Sequence, residues 1–172
     1  SKGSEKPDFF RHNISAQSRG GTILLAMLSV ALGFSCCENL VYVFFYSGSA
    51  NGWSVLVART FFPVHPICAA LQSIGVIKRD VEKARRSQLG AILLPAVLFH
   101  GFYDFFIVWI DYLATRRNND GNELIAATAS SFFVSVLCMA LAVAYYGMEA
   151  RKQRRRLINL DQQTAVDHSR LI

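Results

Sequence analysis

Charged side chains are scarce in this chain: Asp, Glu, Lys and Arg make up 17% of its 172 residues, against 52% that are hydrophobic. That shortage excludes an ordinary soluble domain, in which about a quarter of the residues carry charge. Internal repeats are missing too, which argues against the paired broken helices of a secondary transporter. No secretory leader is expected, because residues 1–20 are polar and the first apolar run is too long for the core of a signal peptide. Ser1 stands where an initiator Met is usual, so the expectation is an excerpt from a longer protein. Cysteine is limited to Cys36, Cys37, Cys68 and Cys138, all inside apolar runs. These read as small buried hydrophobes and exclude a disulfide framework.

What the chain does have is four long apolar segments, at about 22–45, 53–77, 89–113 and 124–148. Each reaches the roughly 20 residues needed to cross a hydrocarbon core of about 30 Å. The expected fold is all-α: a polytopic transmembrane helical bundle with four spans, forming part of a larger bundle. Residues 1–21 form a polar N-terminal segment, 22–148 the membrane domain and 149–172 a basic tail with a disordered end.

The net charge of +6 does not call for nucleic acid. Its sources lie beside the apolar runs, where the positive-inside rule places them. Lys2, Lys6, Arg11 and Arg19 precede the first span. Lys78, Arg79, Lys83, Arg85 and Arg86 separate the second from the third, and Arg151, Lys152, Arg154, Arg155 and Arg156 follow the fourth. Residues 46–52 carry no charge. All strongly basic segments therefore fall on one side, which puts both termini in the cytosol. Membrane lipid is the expected surrounding, with anionic headgroups a candidate contact for the tail.

Against this apolar background, Glu38, His65, His100 and Asp104 stand out. A charge at bilayer depth costs at least about 2.5–3.5 kcal/mol, so several at similar depth are expected to act together. His100 and Asp104 are four residues apart and share a helix face. Asp104 can bind a metal beside His100 or accept the other ring N–H of that histidine. Counting about 1.5 Å per residue from the lumenal end, Glu38 lies at about 12 Å, Asp104 at about 14 Å, His65 at about 18 Å and His100 at about 20 Å. Glu38 suits a metal ligand or a general base. Its neighbour Asn39 can orient a substrate carbonyl or a neighbouring helix. Pro63 and Pro66 bracket His65, so the second helix is expected to break there and His65 to leave helical dihedrals. Arg59 suits an ion pair with Glu38 or an oxyanion contact. The fourth span has no charge between Glu123 and Glu149, and its many Ala and Ser residues suit close helix packing.

Taken in order, three blocks resemble the PrsW family of intramembrane metalloproteases, a branch of the wider CAAX-protease and bacteriocin-processing superfamily. They are Gly33-Phe34 with Glu38-Asn39 and Tyr42, then Arg59 with Pro63-Val64-His65, then His100-Gly101 with Tyr103-Asp104. The resemblance implies a zinc-dependent peptidase that cuts membrane-embedded protein or peptide substrates. It implies catalytic roles for Glu38 and Arg59 and metal ligation by His65, His100 and Asp104. Asn39 and Tyr103 then orient substrate or neighbouring groups. The family's paired-glutamate motif, Glu-Glu followed two residues on by Lys, has no counterpart here beyond Glu5-Lys6. Either it lies upstream of Ser1 or the chain is a non-catalytic membrane scaffold of the same superfamily. A third reading, a proton- or metal-coupled transporter, draws on the same buried residues.

The topology carries one direct consequence. Asn13-Ile14-Ser15 is a glycosylation sequon that it keeps in the cytosol. Treatment of the expressed protein with an N-glycanase is expected to leave its electrophoretic mobility unchanged.

Overall fold

The computed structural model describes residues 14–46, 60–83, 88–116 and 121–170. Every regular element among them is a helix: α1 (Ala16–Tyr46), α2 (Val64–Asp80), α3 (Leu89–Arg116) and α4 (Gly121–Ser169). Three helices are long and apolar enough to cross a membrane, over Ala16–Phe44, Leu89–Ile110 and Thr128–Ser169. The fourth, α2, has 17 residues. That is about 26 Å, short of a hydrocarbon core of about 30 Å. The expected second span is therefore a shorter helix within the described residues, and its residues 53–59 lie outside them.

The outer helices are built for lipid. Val30 is 74% exposed and Phe44 is 77% exposed. In water such surfaces would associate, whereas in a bilayer they need no partner. Cys36 and Cys37 share this exposed surface, while Cys68 and Cys138 are half-buried, and all four are free thiols. The expectation of cysteines buried in protein is thus corrected for the first pair, because lipid supplies their apolar surroundings.

The bundle is organised around α2, which packs on α1, α3 and α4. It contributes Val64, Ala69, Leu71 and Ile77 to the small buried core. A helix enclosed by protein can carry more polar residues than one facing lipid, which explains its weaker apolar signal. Small residues let it approach its neighbours closely. At Gly75 an added Cβ would lie 2.9 Å from Ile92 Cγ1 and 3.1 Å from Ile92 Cα, so α3 backbone sits against α2 there.

Residues 60 and 61 are helical, Phe62 and Pro63 are not, and α2 opens at Val64. Pro63 has no N–H to donate and restricts the residue before it, so the break falls at the first proline of the pair, ahead of His65 and not at it. Pro66 has a different effect from the one expected. It occupies the third position of α2, where a backbone N–H has no partner within the helix. His65 accordingly stays helical as the second residue of α2.

The C-terminal segment is also ordered differently from the expected tail. It continues α4 as one helix to Ser169, 49 residues or about 74 Å in all. Leu157 packs on Ile77 and Val81. Gln153 Nε2 donates to the Ile74 carbonyl at 2.8 Å, and Arg156 Nε donates to Glu82 Oε2 at 2.8 Å. The Asp161 carboxylate accepts the N–H groups of Ala16 and Gln17, two first-turn donors of α1. It caps α1 from 145 residues away. The start of α1, the end of α2 and the extension of α4 thus share one end of the bundle, called here the basic end.

Gly75→Ala is expected to destabilise the protein by about 1–3 kcal/mol through overpacking against Ile92. Gly21→Ala, whose Cβ meets nothing within 4 Å, is expected to gain about 0.5–1 kcal/mol from helix propensity. Thermal unfolding of both variants in detergent checks the order, and a reversed order would remove the close α2–α3 approach.

Candidate functional site

Three helices each bring part of the site. On α1, Phe34 and Glu38 are one turn apart, so both face the same neighbour. That neighbour is His65, in the first turn of α2. Phe34 meets its ring edge-on at a centroid distance of 5.0 Å, and Glu38 Oε2 lies 3.4 Å from its Nε2. On α3, His100 and Asp104 are likewise one turn apart. His100 Nε2 lies 3.4 Å from His65 Nε2, and His100 Nδ1 lies 2.7 Å from Asp104 Oδ2. The result is a continuous polar chain in the order Glu38, His65, His100, Asp104, running through otherwise apolar helices.

The two ends of this chain differ. Asp104 Oδ2 accepts from Nδ1 of His100 at 2.7 Å, so Nδ1 carries a proton, and in the neutral ring Nε2 presents its lone pair to the His65 side. The contacts at 3.4 Å on either side of His65 Nε2 are long for direct hydrogen bonds. They leave three donor atoms loosely grouped: Glu38 Oε2, His65 Nε2 and His100 Nε2. Among the described residues, no group of three or more His, Cys, Asp or Glu closes around one point as a finished metal cage. The His65 side chain is 16% exposed and that of Glu38 28%, whereas Asp104, at 57%, sits at the rim.

Two cavities meet at the histidine pair. One, of about 370 Å³, is lined by Ser35, Tyr103, Asp104, Thr128, Ser131 and Ser135 together with apolar neighbours. The other is an open groove of about 800 Å³ between α1, α2 and α3, lined mainly by apolar residues. Tyr103 stands in the first cavity, its hydroxyl 3.4 Å from Ser135 Oγ. Asn39 is half-buried beside Glu38 on α1. Arg59 lies outside the described residues.

Sequence reasoning missed two contributors. Phe34 was legible only as part of a motif, yet its ring packs edge-on against His65. The second is a hydroxyl row on α4: Thr128, Ser131 and Ser135, at spacings of three and four that put all three on one helix face. That spacing was readable, but the abundance of small residues around it pointed to packing alone.

An all-helical membrane bundle with two imidazoles and two carboxylates strung across its interior defines an intramembrane polar site in a polytopic protein. A model of the PrsW family of intramembrane metalloproteases matches residues 9–146, a stretch that contains every member of the polar chain. The chain belongs to the PrsW family of intramembrane metalloproteases. No curated protein and no solved structure matches it. The family match ends before the extension of α4 that braces the basic end.

Proposed function

We propose that this protein is a zinc peptidase that cleaves membrane-embedded polypeptides, with His65 and His100 holding the metal through Nε2. The observation that carries the reading is the 3.4 Å separation of those two nitrogens. Two zinc–nitrogen bonds of about 2.0–2.1 Å at a tetrahedral angle span about 3.3 Å, so the pair fits one edge of such a site. Glu38 Oε2, at the same 3.4 Å from His65 Nε2, borders that edge. A zinc ion held there supplies Lewis-acid polarisation and lowers the pKa of water.

The chain's own residues do the rest. Glu38 accepts a proton from the attacking water at Oε2 and returns it to the departing amine. Asp104 fixes the tautomer and ring direction of His100, a positioning role on the opposite ring nitrogen from the proposed metal. Phe34 limits the rotation of His65. Tyr103 and Asn39 orient the substrate amide, and Arg59 is assigned to the developing oxyanion on the basis of its sequence position.

A second reading is a non-catalytic membrane scaffold of the same family. It is favoured by the open, chain-like arrangement of the four residues. There the polar chain only ties α1, α2 and α3 together.

Zinc analysis of the purified protein in detergent separates the two. The peptidase reading expects about one zinc per chain, lost in His65→Ala and in His100→Ala. Glu38→Gln keeps the metal and loses cleavage of an apolar peptide. Asp104→Asn weakens zinc affinity by about 10–100-fold. Bound zinc and cleavage that survive both histidine substitutions would sink the reading.

A further inference from the structure

The two cavities that meet at His65 and His100 differ in chemistry and in position. The groove is mainly apolar, bordered by Ala26, Val30, Ala31 and Val97, with Gln72 as its one amide. Val30 is 74% exposed and Val97 60%, so it opens sideways, where lipid lies. The chamber on the α4 side is the more polar of the two: beside Phe62, Val64, Ile107 and Phe132 it gathers four aliphatic hydroxyls, the Tyr103 phenol and the Asp104 carboxylate. Its volume of about 370 Å³ has room for several waters at about 30 Å³ each.

The α4 hydroxyls are not all used alike. Ser130 turns back onto its own helix and donates to the Ala126 carbonyl at 2.8 Å, as a lipid-facing serine must. Ser135, only 3% exposed, instead points across the chamber to Tyr103 at 3.4 Å. That contact is long for an O–H···O bond and leaves both oxygens with capacity for a further partner such as water. Helix direction also separates the two cavities. Ile107, Thr128 and Ser131 lie beyond His100, away from the basic end, whereas Ala26 and Val97 lie toward it.

We propose that the α4-side chamber is the water store of the site, filled from the end of the bundle opposite the basic one. In it Thr128, Ser131 and Ser135 are positioning residues that hold water against the histidine pair. Peptide hydrolysis consumes one water per bond cut, and a groove open to lipid cannot deliver it. α4 thereby becomes part of the hydrolytic apparatus as well as a packing helix. The purpose of the store rests on the peptidase reading, but its wetness does not.

The test is thiol accessibility in sealed, uniformly oriented vesicles, with native cysteines kept and labelled positions identified by peptide mass. Ser131→Cys is expected to react with a small charged methanethiosulfonate added to the face opposite the C-terminal tail. Val97→Cys is expected to react only with a lipid-soluble maleimide. Ser135→Cys serves as the second chamber position if the first variant fails to accumulate. No charged label in the chamber from that face, or equal charged labelling at residue 97, overturns the proposal. A second arm uses an internally quenched apolar peptide in detergent. Ser131→Ala is expected to lower kcat about tenfold, the worth of one hydrogen bond, with KM unchanged. Ser131→Thr, which keeps a hydroxyl, recovers the rate, and an unchanged kcat in the alanine variant would end the positioning role. A wet chamber in a protein that binds no zinc would uphold the store and end the peptidase reading. A dry chamber in a zinc-loaded, cleaving protein would do the reverse.

Discussion

A helix that begins inside the bundle is the constraint from which the site follows. Pro63 ends the helical run before it, and α2 restarts at Val64. His65 therefore occupies a first turn, where the backbone is turning and the side chain can reach both flanking helices. Its Nε2 faces Glu38 on α1 and His100 on α3 at the same 3.4 Å. A backbone interruption of this kind is tolerated in a membrane only where protein or a wet cavity receives it. The first condition is met, since α2 is enclosed by the other three helices, and a chamber lined in part by hydroxyls lies beside it.

The polar chain is costly in isolation and consistent as a set. Any one of its ionisable groups at bilayer depth would be unfavourable by a few kcal/mol. Placed in sequence, each member meets the next, and the aspartate that anchors one end is also the most exposed. The chain divides an apolar groove from a hydroxyl-lined chamber. Chemistry that joins an apolar chain to water needs such a boundary, because the two reactants partition into different surroundings. The family to which the chain belongs provides a reason for the boundary to exist, and the geometry provides its location.

The far end of the molecule holds this arrangement in register. Asp161 caps α1, Leu157 fills the space beneath Ile77 and Val81, and Arg156 ties α4 to Glu82. Each contact fixes the axial position of α1 or α2 relative to α4. A slide of one residue along a helix is about 1.5 Å, comparable to the tolerance of the His65–His100 contact. The α4 side of the brace, Arg156, Leu157 and Asp161, lies beyond the residues that the family model matches.

Local pattern decided much of this protein before any packing was known. The scarcity of charge and the length of the apolar runs gave a helical membrane bundle. Pro63 marked the helix break, and the four-residue spacing of His100 and Asp104 marked a shared face. These are properties of neighbouring residues and are legible from neighbouring residues. Only the tertiary structure decided that α2 is the enclosed helix, that Asp104 and His65 address opposite nitrogens of His100, and that the α4 hydroxyls face a chamber. It also turned the basic tail into a brace, through contacts between residues more than 70 positions apart. Hydrophobic periodicity says which side of a helix is apolar, but lipid and protein are both apolar surroundings, so it cannot say which of them that side will meet.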